Sequence, residues 1–164
     1  MTNEIKNVTV IGAGFMARHI TALIVPYSYN VHVFYHRFDT NPSAIDEAKR
    51  IIERLLKRAP ATGHQGAITY HGRLSEALKD TDLVTESIPE NLELKKKVFA
   101  EIDKAAAEHV IISTNSSSIP ASKIEAPVKR KDKVLNLHFY PTIKMVDIMR
   151  GRKTSDETLE KAKK

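Results

Sequence analysis

The sequence predicts an α/β fold, doubly wound around a mostly parallel sheet, in one domain spanning residues 1–164. Three observations carry that expectation. Short β-branched and apolar runs alternate with amphipathic helical stretches along nearly the whole chain, as in a parallel sheet covered on both faces. The first such run leads into a glycine-rich turn and then a helix. With 164 residues, 41% hydrophobic and 28% charged, the chain suits a single core.

The elements follow in order. Residues 6–11 read as a buried strand, and a helix over 14–25 follows, which Pro26 should end. Residues 31–35 form a second strand. Asn41, Pro42 and Ser43 signal a helix start, after which Ile45, Ala48, Ile51, Ile52, Leu55, Leu56 and Ala59 recur at helical spacing. Pro60 and Gly63 close that helix. A strand over 67–70, a short helix near 74–79 and a strand over 82–87 come next. The helix over about 91–107 presents Leu92, Leu94, Val98, Phe99 and Ile102 as its apolar face. Residues 109–113 are a strand ending in a polar run. Residues 133–139 and 144–149 are two more strands, joined by a turn at Pro141. Ser155, followed by Glu157 and Glu160, is the N-cap of a last helix.

Composition narrows the function. The chain has no cysteine, which removes disulfides, thiolate metal sites and thiol nucleophiles. No run approaches the ~18 to 20 apolar residues of a membrane span, and residues 1–6 lack a targeting pattern, so the expectation is a cytoplasmic protein without a membrane partner. The formal charge is +6, but basic residues are interleaved with acidic ones, as over residues 46–54. Only residues 128–133 and 161–164 are locally basic, and no nucleic-acid motif accompanies them, so nucleic acid is not expected as a partner. The histidines show no metal-ligand spacing, and no metal is expected.

The first strand ends in Gly12-Ala13-Gly14-Phe15-Met16-Ala17, a G-x-G-x-x-A pattern between strand and helix. In a Rossmann-type unit this is a dinucleotide fingerprint, with the pyrophosphate on the helix N-terminus. Gly12, Gly14, Phe15 and Met16 are the candidate cofactor residues on this loop. The end of the second strand reads Tyr35-His36-Arg37, with no carboxylate to bond the ribose hydroxyls, while Arg37 suits a 2′-phosphate. The expected cofactor is NAD or NADP, with the lean toward NADP.

The downstream segments resemble the 3-hydroxyacyl-CoA dehydrogenase family over residues 6–164. Residues 82–95, including Glu86-Ser87-Ile88-Pro89-Glu90-Asn91-Leu92, resemble its fourth-strand region. Ser113-Thr114-Asn115-Ser116-Ser117-Ser118-Ile119 is similar to its S-N-T-S-S-L stretch, and His138-Phe139 to its H-F-F-N-P motif. Gly151, Thr154, Ser155 and Glu157 resemble its closing G-x-x-T-S-x-E pattern. The resemblance implies His138 as the base that takes the proton of a 3-hydroxyacyl-CoA while hydride passes to nicotinamide. It implies Asp147, where the family has Glu, as the carboxylate orienting that histidine. It places Ser117 at the substrate oxygen, Asn115 near the nicotinamide ribose, and Glu90 and Lys95 on the nicotinamide side. Here the segment between His138 and Asp147 is shorter than the family's, and Tyr140 leads directly to Pro141.

The family normally continues into a helical C-terminal domain that completes the acyl-CoA site and forms the dimer; it is absent from these residues. The expectation is either an excised cofactor domain or a short form completed by a homo-oligomer or partner subunit. An alternative function is a dinucleotide-binding module without catalysis of its own.

Overall fold

The structure is a computed structural model that describes residues 4–59 and 63–163. Pro60, expected to close a helix, residues 1–3 and Lys164 lie outside the described residues. Seven strands form one sheet: β1 (Asn7–Ile11), β2 (Asn30–Phe34), β3 (Ile68–His71), β4 (Leu83–Glu86), β5 (Ile111–Thr114), β6 (Val134–Tyr140) and β7 (Met145–Arg150). Their spatial order is β3-β2-β1-β4-β5-β6-β7. The pairs from β3 across to β6 are parallel, and β7 closes the edge antiparallel to β6. The chain winds outward from β1 in one direction, then returns to β1 and winds out from β4 in the other. That reversal opens a crevice at the carboxyl ends of β1 and β4, where ligands of such sheets bind.

Central strands must present apolar residues on both faces. Accordingly β4 and β5 are buried at every position, and β1 from Val8 onward. Among the polar residues within them, Thr9 Oγ1 lies 2.8 Å from the Ala77 carbonyl and Ser113 Oγ donates to Val84 O at 2.7 Å, while the buried Thr85 Oγ1 has no hydrogen-bond partner among the described residues. The helices are α1 (Phe15–Ile24), α2 (Pro42–Leu56), α3 (Leu74–Ala77), α4 (Leu92–Ala105), α5 (Ala121–Ile124) and α6 (Asp156–Ala162). Two main apolar clusters form the core. One joins Val10, Ile20, Val31 and Leu135, and the other joins Val84, Phe99, Ile102, Ile112 and Ile124.

The sequence expectations for element order hold, with ends displaced by a few residues, and several details differ. Pro26 does not simply stop the first helix. It sits inside a 3-10 turn, Val25–Tyr27, which follows α1 and ends at Ser28 with φ 69°. α2 ends at Leu56, so Ala59 lies beyond it. α5 and a 3-10 turn over Lys131–Lys133 were not foreseen. The apolar face assigned to α4 is also corrected. Leu94 is 39% exposed, whereas Lys95 is 1% exposed and shares the buried side with Phe99 and Ile102. Residues 95, 99 and 102 recur at the spacing that places side chains on one helix face. Within the run Lys95-Lys96-Lys97, the first side chain is buried and the other two are not. Arg130, in the basic stretch 128–133, is likewise committed: it pairs with Asp103 at 2.8 Å and donates to the carbonyls of Asp103, Ala106 and Ala107 at the end of α4.

Candidate active site

The loop after β1 is shaped by contact with the loop after β4. Gly12 has φ 121°, and a Cβ there would lie 2.9 Å from the Ser87 carbonyl oxygen. Both backbone conformation and space require glycine. Gly12 N donates to Phe34 O at 2.8 Å, joining the turn to the end of β2. Ala17, in the third position of the pattern, is buried where α1 meets this turn.

Gly14 is different. Its φ is −76°, so its backbone asks for nothing special, but a Cβ would meet no atom within 4 Å. It is the N-cap of α1, with no side-chain cap and no acidic residue in the first turn. The free N–H groups and the positive end of the helix dipole thus face open space, a cradle for a pyrophosphate. Phe15 is exposed beside it and stacks on His19 with ring centroids 4.1 Å apart. Arg18, which the sequence reading missed, fastens the loop: Nε donates to Ala13 O at 2.7 Å and Nη1 pairs with Glu47 of α2 at 3.0 Å. At the end of β2, Tyr35 is half-buried, and Arg37 is exposed in the following turn with no side-chain partner among the described residues.

An open cleft of about 310 Å³ lies at the ends of β4, β5 and β6. It brings together Met16, Glu90, Lys95, Asn115, Ser117 and His138, six of the residues named from the sequence. Glu86 and Ser87 also line it and were missed. The signal for Glu86 was present: a carboxylate at the end of a strand that reads as buried. Ser87 Oγ is buried and has no hydrogen-bond partner among the described residues.

The floor of the cleft is a buried ion pair. Lys95 Nζ lies 2.7 Å from Glu86 Oε1 and 3.3 Å from Glu90 Oε2, and donates to Ile88 O at 3.3 Å. Glu86 also accepts from Ile88 N at 2.7 Å and from Thr114 Oγ1 at 2.8 Å. Glu90 is more exposed and accepts from Ser116 Oγ and, at 2.8 Å, from Ser118 Oγ. Partial desolvation works against the Glu90 charge, but the two serine hydroxyls and the Lys95 ammonium outweigh it and bring its carboxyl down to about 2.

Asn115 is buried, and its Oδ1 accepts from Phe139 N at 2.8 Å, tying the end of β5 to β6. Ser117 is exposed on the rim, and its hydroxyl has no partner among the described residues. His138 and Asp147 stand directly opposite each other in the β6–β7 register. The expected orienting bond between them is nevertheless not formed. Asp147 Oδ2 instead accepts from Tyr140 Oη at 3.0 Å, while the His138 ring meets the Tyr140 ring edge-on at 4.4 Å. The hydrogen bond to Asp147, then slight desolvation and the carboxylate charge, push the Tyr140 phenol above its ordinary range. No helix among the described residues is long and apolar enough to cross a membrane.

The comparisons with known proteins agree with this geometry. The family described as 3-hydroxyacyl-CoA dehydrogenase, NAD binding domain, matches residues 7–164. A probable 3-hydroxyacyl-CoA dehydrogenase of Caenorhabditis elegans is 34% identical over 95% of this chain and 55% of its own. A probable 3-hydroxybutyryl-CoA dehydrogenase of Bacillus subtilis is 30% identical over 94% and 56%, respectively. Among solved structures, (S)-3-hydroxybutyryl-CoA dehydrogenase from Ralstonia eutropha superposes with a TM-score of 0.81 and 29% identity, covering 98% of this chain and 59% of that one. The chain spans about half the length of the curated relatives it matches.

Two outcomes follow from the cleft floor. Lys95→Met leaves Glu86 charged and buried without its counter-ion and should cost about 3–5 kcal/mol in a denaturant titration. Glu90 has a folded value of about 2, below the ordinary 4.5. Its contribution to stability is therefore complete above about 4.5 and is lost as pH falls through about 2. Melting temperature measured across that window should fall less steeply in Glu90→Gln than in the wild type, and parallel curves would remove the assignment.

Proposed function

This chain belongs to the 3-hydroxyacyl-CoA dehydrogenase family through its NAD-binding domain, and from that premise we propose that it serves an NAD(P)-dependent oxidoreductase acting at C3 of a 3-hydroxyacyl-CoA. The observation that carries the reading is the cleft itself: His138 and Ser117 open onto the same space as Glu90, Lys95 and Asn115, beside the uncapped start of α1. The open N-terminus of α1, the space at Gly14 and the orphaned Ser87 hydroxyl fit a dinucleotide. That cofactor, when bound, supplies the two-electron carrier.

The protein's own part is proton handling and positioning. His138 takes the proton of the substrate hydroxyl during oxidation and returns it during reduction, a role suited to imidazole near neutral pH. Ser117, with its hydroxyl at the rim and without a partner among the described residues, bonds the substrate oxygen. Asp147 faces His138 across the hairpin and stabilises the imidazolium electrostatically. The Glu86–Lys95 pair keeps the polar floor rigid, so that its dipoles need not reorganise as charge moves above it.

The finer cofactor preference is read toward NADP. The Arg37 guanidinium, in the turn after β2, has no partner among the described residues, and Tyr35 stands in the place of the usual carboxylate. An acyl-CoA would need enclosure beyond what these residues provide. The exposed Met145, Val146 and Met149 along edge strand β7 support a further contact at that edge. A second reading, a dinucleotide-binding module without turnover, draws on the absence of a carboxylate bonded to His138.

Acetoacetyl-CoA-dependent oxidation of NADH or NADPH separates the two readings. His138→Gln should abolish this turnover and leave cofactor affinity nearly unchanged; wild-type protein that binds cofactor without turnover sinks the catalytic reading. Arg37→Glu should weaken NADPH by at least about tenfold, the loss of one charge-assisted contact, and spare NADH. Equal losses for both cofactors would refute the NADP preference.

A further inference from the structure

The β6–β7 hairpin places three polar side chains on one face of the sheet. His138 and Tyr140 are two residues apart on β6 and so point the same way. Asp147 is opposite His138 and diagonal to Tyr140. Directly opposed side chains are near enough to bond, yet the carboxylate takes the diagonal donor: Tyr140 Oη to Asp147 Oδ2, 3.0 Å. The same tyrosine covers one side of the imidazole, edge-on at 4.4 Å. Tyr140 thus touches both members of the pair while they do not bond each other.

We propose that Tyr140 is a positioning residue for His138, holding the Asp147 carboxylate on its phenol and thereby setting how much of that charge the imidazole receives. The proposal deepens the reading of His138 as the base and rests on it. A carboxylate oxygen that accepts from a phenol has part of its charge stabilised there, and it is a weaker partner for an imidazolium than an uncommitted one. The aspartate side chain is short. Its Oδ2 is held by Tyr140, so the phenol and the imidazole compete for the charge of one carboxylate. The other charges facing this space are Glu86 at the end of β4, Glu90 in the loop after it, and Lys95 of α4. They bond one another, and none bonds the His138 ring or Tyr140.

The competition can be read without turnover. Proton–nitrogen correlation spectra of the histidine rings, with His138 assigned by its loss in His138→Gln, follow the ring through a pH titration. Tyr140→Phe keeps the aromatic wall and removes the hydroxyl, so the midpoint of the His138 ring should rise as Asp147 is released. Asp147→Asn should lower that midpoint, and adding Tyr140→Phe to it should change nothing further. In Asp147→Asn, absorbance titration should also find the Tyr140 phenol back toward its ordinary range. A midpoint that stays or falls in Tyr140→Phe overturns the proposal, as does a rise that persists without the Asp147 carboxylate. Absence of acetoacetyl-CoA turnover with the coupling intact would overturn hydride transfer alone.

Discussion

The buried pair between Glu86 and Lys95 is the constraint on which the cleft depends. Neither side chain has appreciable contact with solvent, so each charge must be met inside the protein. The lysine has three donors, and they go to Glu86, Glu90 and the Ile88 carbonyl. The glutamate in turn gathers Ile88 N and Thr114 Oγ1. One ion pair therefore links the end of β4, the loop after it, α4 and the end of β5. A pair of this kind adds little net stability over an apolar substitute of the same shape. Its consequence here is geometric: the loop over residues 87–90 has one arrangement that leaves no charge unmet.

That arrangement reaches the cofactor loop. Ser87 is the residue whose carbonyl oxygen would collide with any side chain at Gly12. The turn after β1 and the loop after β4 are packed against each other, and the glycine is the space between them. Gly14 stands two residues further on, where the chain has turned away and the helix begins uncapped. The two glycines thus serve different physical ends. Gly12 permits protein to approach protein, and Gly14 leaves open space at the start of α1.

Much of this was legible in the sequence, because its causes are local. Strand and helix order follows from hydrophobic periodicity, and the G-x-G-x-x-A spacing marks the start of α1. The histidine and serine of the cleft were found through their surrounding motifs. What escaped depended on context. Lys95 is named through the resemblance, but its burial is not, because its residue type reads as surface until a buried Glu86 is placed beside it. Arg130 reads as part of a basic run until the end of α4 supplies the carbonyls it bonds. α5, with four residues, is too short to show a period. Arg18 is fixed by Glu47, a residue on another helix, and nothing in the glycine pattern announces it.

The relation between His138, Asp147 and Tyr140 is the clearest case of information the strands do not hold by themselves. Side-chain faces alternate with a period of two, so pairing register decides which residues meet. In a hairpin that register is set by the turn, here residues 141–144 between the paired Tyr140 and Met145. Lys144, with φ 52°, takes the left-handed conformation needed to close so short a connection. Lengthening the turn by one residue would carry Asp147 to the opposite face or out of line with His138, with no change in either strand. The short turn brings Asp147 level with the histidine, and the same turn brings Tyr140 within its reach. The hairpin that places His138 on the cleft also supplies the phenol that holds the carboxylate opposite it.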